Sequence, residues 1–232
     1  MAQWQKIKIQ RENDEIVDAQ APLIISASRS TDILNDYVAE VLEERVPPLD
    51  DRILTFKNLV DSLGKGRVVW RFDPLILTDK ITVDDLLRKV ENIGYQLFGY
   101  TEKLVFSFAD IALYKKVKSN LEKNNINYSE WTENQMIDFA KRLSELNKKL
   151  NFQLATCGEK IDISQFGIQH NKCVDDDLMI RFAKNDIVLM DYLGVEIVNS
   201  LFDGEKIIKK KDNYDKYFFL QSKNKFYICT VS

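Results

Sequence analysis

The chain has 232 residues but only one histidine, three cysteines, four prolines and eight glycines. Each scarcity removes a class of function. Three cysteines cannot form a disulfide framework, and the N-terminus MAQWQKIKIQRENDE is polar and alternating, without the apolar core of a secretion signal. Both features point to a reducing, cytoplasmic setting. A single histidine confines any Ser-His-Asp triad to His170, and no G-x-S-x-G elbow accompanies it. Neither G-x-G-x-x-G nor a P-loop is present, so no phosphate cradle of those kinds is expected. No apolar run approaches the about 20 residues that cross a bilayer, and no membrane role is expected. Excess charge is missing as well. Against 36 Asp and Glu stand 33 Lys and Arg, a net charge of −3 that offers nucleic acid no electrostatic attraction.

What remains is an ordinary globular composition, 45% hydrophobic and 30% charged. A chain of this length buries one sizeable core, so a single α/β domain is expected. Its parts are an N-terminal hairpin over 1–21, a βα core over 22–194 and a C-terminal extension over 195–232. In the hairpin, Gln5–Gln10 and Glu15–Gln20 alternate polar and apolar residues around RENDE. After Pro22, Leu23–Ala27 is a short apolar run without alternation, the pattern of a strand buried on both faces.

Helices and strands then alternate. Asp36–Glu44 and Leu49–Leu63 read as helices, the second with Ile53, Phe56, Leu59, Val60 and Leu63 on one face. Val68–Phe72 is a strand, Val83–Phe98 a helix capped by Thr78 or Thr82, and Lys103–Phe108 a strand. Thr132–Leu150 is a helix opened by the capping box T-E-N-Q, and Phe152–Thr156 is a fourth strand. Asp175–Leu193 reads as one helix or a bent pair. Lys206–Lys216 (KIIKKKDNYDK) reads as a solvated connector, and Tyr217–Val231 is aromatic and β-prone.

This alternation argues for right-handed βαβ units, mainly parallel strands and a partial or shortened TIM-barrel-like (β/α) repeat, with an open α/β sheet as the alternative. A full barrel needs eight strands and the pattern supplies four. Missing strands would leave open edges, which predicts a homodimer that covers them.

Each of the four strands ends in polar residues, at the end where such folds build their sites. Arg29, Thr31 and Asp32 follow the first; they suit an anion held by a guanidinium and helix amides, or equally a helix cap with a salt bridge. Arg71 and Asp73 follow the second, either as substrate ligands or as a structural ion pair. Ser107 and Asp110 follow the third. After the fourth come Cys157, Glu159, His170 and Cys173, in the pattern C-x12-H-x2-C. Thiolate, imidazole and carboxylate are the donors of zinc and iron, and this segment is where the chain could gather them. The plain alternative makes Cys157 a small buried apolar residue and His170 a turn residue.

Five ordered segments carry a resemblance: IISASRSTDI, RVVWRFDPLILT, KLVFSFADI, LATCGEKIDI and GI-x-H-x-x-C-V-D-D. Over most of Leu23–Leu193 the chain resembles the uncharacterised bacterial family called domain of unknown function 1848. The resemblance implies a barrel-like iron–sulfur protein, of enzyme type, with a C-terminal T-C-P-H-x-C-x-Y-C-Y segment similar to the cluster loop of radical S-adenosylmethionine enzymes. This chain departs from that pattern twice. The strand–helix units that family members carry between Tyr37–Leu42 and Val46-Pro47-Pro48 are absent, and the tail Ser222–Ser232 keeps only Cys229. An iron–sulfur cluster generally needs more thiolates. S-adenosylmethionine chemistry is therefore not expected of this chain alone.

The expectation is thus an enzyme-like barrel relative using zinc or an iron–sulfur cluster at Cys157, Glu159, His170 and Cys173. It would bind an anionic small molecule through Arg29, Thr31, Asp32, Arg71, Asp73, Ser107 and Asp110. The competing expectation is a non-catalytic binding protein, or an inactive remnant of a radical-SAM-like family.

Overall fold

A computed structural model describes residues 4–10, 16–22, 25–27, 47–113, 115–171, 175–200 and 204–209. In chain order the elements are β1 (Trp4–Gln10), β2 (Ile16–Pro22), β3 (Ile25–Ala27), α1 (Leu49–Leu63), β4 (Val68–Leu75) and β5 (Leu77–Thr78). Next come α2 (Val83–Leu97), β6 (Lys103–Phe108), α3 (Lys115–Lys123), β7 (Tyr128–Ser129) and α4 (Glu133–Leu150). The rest are β8 (Gln153–Cys157), a 3₁₀ turn at Ser164–Phe166, β9 (Ile168–Asn171), α5 (Asp176–Ala183), α6 (Ile187–Tyr192), β10 (Val195–Ser200) and β11 (Gly204–Lys209). They form two compact units.

The unit Ile25–Asn171 holds a five-stranded sheet in the order β3-β4-β6-β8-β9, and every pairing in it is parallel. Order in the sheet equals order in the chain, so each right-handed crossover steps the same way. The connecting helices then fall on one face, as in a (β/α) barrel and unlike a doubly wound sheet. The fold is α/β with a mainly parallel sheet. Among the described residues β3 and β9 each pair with one strand neighbour.

Local chemistry explains the elements. Thr82 caps α2 and Thr132 caps α4, each in a closed capping box with Asp85 and Gln135 respectively. Asn151 ends α4 in the left-handed region, at φ 56°, a conformation asparagine tolerates better than most side chains. The helix-covered face of the sheet is aromatic. Phe106 and Phe108 meet Phe139 of α4 edge-on, while Trp70 meets Phe72 and Phe152. Trp131 packs on Phe108 and donates its ring N–H to the Leu75 carbonyl at 2.9 Å.

The other unit comprises the segments before Ile25 and after Asn171. Its β1–β2 hairpin is antiparallel, as the alternation predicted, and β10–β11 is a second antiparallel hairpin. Ile180, Ala183, Leu189, Met190, Leu193 and Val195 form its core. Residues 175–193 thus group with the β1–β2 and β10–β11 hairpins and not with the βα core. The apolar stripes of α5 and α6 are buried in a core of their own.

Two sequence readings change and one open choice is decided. The sheet has a fifth parallel strand, β9, inside the segment read as a metal-gathering loop. The Asp175–Leu193 stretch, read as one helix or a bent pair, is the pair, broken at Lys184 and Asp186, where Asp186 starts a new cap on Leu189. Lys206–Lys209 belong to strand β11 and not to a connector, because backbone pairing with β10 supplies the partners that an exposed basic run lacks by itself. The helix expected at Asp36–Glu44 and the tail Tyr217–Val231 lie outside the described residues.

Candidate functional site

The C-terminal ends of β4, β6 and β8 bring together residues that the sequence spreads over nearly ninety positions. Strands pleat with a period of two, so neighbours in register share a face. Arg71 is in register with Val105, and Val105 with Ala155. Ser107 and Cys157 lie two residues further along their strands, on that same face at the rim. Thr156 is in register with His170 and belongs to the opposite face.

At the rim, the Arg71 guanidinium grips Asp73. Its Nη2 donates to Oδ2 at 2.5 Å and its Nε to the same oxygen at 3.1 Å. The two side chains are 18% and 9% exposed. Burial pulls the guanidinium's proton affinity down, but hydrogen bonding and attraction to Asp73 and Cys157 outweigh it and raise the balance. The structural ion pair is therefore present, and Cys157, which is 7% exposed, lies close enough to act on the same guanidinium.

Gly158, at φ 73°, turns the chain in the left-handed region that glycine accepts. The turn carries Glu159 back across the end of β6, where Oε1 accepts the Phe108 backbone N–H at 2.7 Å. Burial pushes this carboxyl up to about 6, against the opposing pull of the Phe108 N–H, with the Cys157 and Asp110 charges adding to the rise. Asp110 sits on the loop after β6 and accepts the Leu113 N–H at 3.3 Å. That loop is clamped from behind. The Glu130 carboxylate accepts the backbone N–H groups of Ile111 at 3.1 Å and Ala112 at 2.9 Å.

Arg71, Asp73, Ser107, Asp110, Cys157 and Glu159 thus belong to one sheet end. His170 does not join them. It lies on β9 with its Nδ1 3.4 Å from the Thr156 hydroxyl, on the face opposite Cys157. Cys157, Glu159 and His170 do not converge as metal donors, because pairing with β8 fixes the face of every β9 side chain. Arg29, Thr31, Asp32 and Cys173 lie outside the described residues. Sequence reasoning missed Glu130, which acts through backbone amides.

The donors also test the metals. Among the described residues, three ligand atoms come within 4.8 Å of one another only at Asp175, Asp176 and Asp177, in the other unit. Those carboxylates open α5, where the helix dipole favours negative charge, and Asp175 caps the Leu178 N–H. At the rim, Cys157 and Glu159 are two donors, already engaged by Arg71 and by the Phe108 amide. Among the described residues Cys157 is the one thiol at the rim, and a four-thiolate cluster needs more. The described rim does not fit an iron–sulfur cluster.

No curated protein and no solved structure matches the chain. No described helix is long and apolar enough to cross a membrane. The segments that build the rim, from the β4 end through Cys157 and Glu159, fall within residues 32–213, which match the family model described as domain of unknown function (DUF1848), and the chain belongs to that family.

Proposed function

We propose that the rim of β4, β6 and β8 is an enzyme-type site for a small polar molecule. Glu159 exchanges the proton, and Cys157 is the soft group at the reacting centre, held by the Arg71–Asp73 pair. One arrangement carries this reading: at a parallel-strand end, the half-buried Glu159 carboxyl, pushed up to about 6 by burial, lies near the buried Cys157 and the Arg71–Asp73 pair. A side chain with that proton affinity both gives and takes protons at physiological pH. The described rim holds one cation, Arg71, against Asp73, Asp110 and Glu159. An anionic ligand would therefore depend on Arg29, and a neutral one on Ser107 and the rim's hydrogen bonds.

Metal dependence is the second reading, favoured by the thiol and the carboxylate that flank Gly158. It would need Cys173 or another donor to join Cys157 and Glu159. Two measurements decide between the readings. Alkylation of Cys157 by iodoacetamide, followed by mass spectrometry against pH, should show a step near pH 6 that E159Q removes. A profile identical in both proteins refutes the proton role and leaves a non-catalytic binding protein. Anaerobic purification with metal analysis should find less than one equivalent of zinc or iron. A full equivalent that C157S loses establishes the metal reading instead.

A further inference from the structure

Strand β6 ends in a turn whose backbone is almost fully matched. The Phe108 N–H goes to Glu159 at 2.7 Å, and the Ala109 N–H to the Leu75 carbonyl at 2.9 Å. Glu130 accepts from Ile111 and Ala112, and the Leu113 N–H reaches Asp110. Left over in this run is the Asp110 N–H, which has no acceptor among the described residues. The Ser107 hydroxyl, where the strand enters the turn, has no partner among them either. Ser107 is partly open to solvent and Asp110 is exposed. Opposite Ser107 the β4 ladder slips. Phe72 pairs with Phe106 and Leu75 with Phe108, so Asp73 and Pro74 together face one residue. Bulges of this kind re-aim side chains beside functional sites. A turn held from both sides, with hydrogen-bonding groups still unmatched, needs little reordering when a ligand arrives.

We infer that this turn is the oxygen-binding position of the rim, where the Ser107 hydroxyl and the Asp110 N–H take a carbonyl or hydroxyl oxygen of an uncharged ligand. The inference rests on the rim being a small-molecule site, and it extends that reading by naming the chemistry recognised. A serine hydroxyl donates to a carbonyl and also accepts from a hydroxyl, so it serves either group. Charge decides the class. The turn lies among the carboxylates of Asp73, Asp110 and Glu159, and Arg71 is committed to Asp73. A carboxylate ligand would meet like charge there, whereas a neutral oxygen makes the same hydrogen bonds without that repulsion.

Amide NMR of the isotope-labelled full chain tests this with probes of one size. Propanamide and propane-1,2-diol are neutral, and propanoate is charged. Titration with either neutral probe should move the Asp110 amide resonance in a saturable way, and propanoate should bind more weakly. Ser107→Ala should weaken the neutral probes about fivefold, and Ser107→Thr, which keeps the hydroxyl, should restore them. The spectrum of each variant shows directly whether it is folded. Equal binding by the parent and Ser107→Ala overturns the assignment, as does a Ser107→Thr variant as weak as Ser107→Ala, which traces the loss to packing. Tighter binding of propanoate overturns the uncharged class. Saturable shifts at Arg71, Cys157 or Glu159 with none at Asp110 overturn the assignment and leave the rim a small-molecule site. If no probe moves any rim amide, both readings fall.

Discussion

Replacing Glu159 by glutamine should change the pH dependence of stability in a direction set by the sign of the shift. The folded carboxyl titrates at about 6, above its ordinary 4.5, because burial disfavours the ionised form. A raised carboxyl stabilises the fold below its unfolded value and loses that contribution as pH rises through the folded one. Moving from 4.5 to about 6 corresponds to about 2 kcal/mol at about 1.4 kcal/mol per decade. The group is partly open to water, and screening reduces this to roughly 1 kcal/mol. The 2.7 Å bond from the Phe108 amide survives in the glutamine variant as a weaker, neutral bond. Relative to the parent, E159Q should therefore gain about 1 kcal/mol between pH 4.5 and pH 7.5, whatever its absolute stability. Urea denaturation of both proteins at the two pH values, followed by tryptophan fluorescence, measures the difference. A carbon-detected NMR titration of the Glu159 carboxyl should place its midpoint near 6. A midpoint at the ordinary 4.5, with no pH dependence of the stability difference, would refute the electrostatic account of the rim.

Other consequences follow from the same geometry. Arg71→Met leaves the Asp73 carboxylate, 9% exposed, without its cation, and should destabilise by about 2 kcal/mol in urea denaturation, less than a fully buried pair because both groups touch solvent; an Arg71→Met/Asp73→Asn pair should recover part of the loss. Glu130→Ala removes the acceptor of the Ile111 and Ala112 amides, so their hydrogen exchange should quicken about tenfold while the β6 amides stay protected. Gly94→Ala puts a methyl 2.6 Å from Leu150 Cδ1 between α2 and α4; overpacking outweighs the gain in helix propensity, and a net loss of about 1 kcal/mol is expected. Paired on one side among the described residues, β3 and β9 predict a homodimer by light scattering, and a clean monomer would remove that expectation.

How much of this was legible beforehand differs by element. Helix α1 and strand β6 have the bounds read from periodicity and flanking residues, and the T-E-N-Q box opens α4 as expected. Each of these signals lies within a few residues of the structure it dictates. The fifth strand, Ile168–Asn171, was not legible, since IQHN has neither length nor an apolar run and exists as a strand because β8 offers it a ladder. The site divides the same way. Arg71 with Asp73, and Cys157 with Glu159, are near neighbours in the chain, and both pairs sit at the rim. His170 drew attention as the sole imidazole, but pairing with Thr156 turns it to the other face.

The sequence by itself determined the alternation of helix and strand, the direction in which the strands leave the core, and the polar residues at their ends. Those depend on side-chain periodicity, caps and turns, which act over a few residues. Tertiary structure alone decided which of those ends lie side by side and which face each side chain takes. A shift of one residue in strand register exchanges the two faces, and the register is set by a partner strand far away in the chain. For that reason Cys157 lies near Arg71 and Glu159, and His170 stands apart.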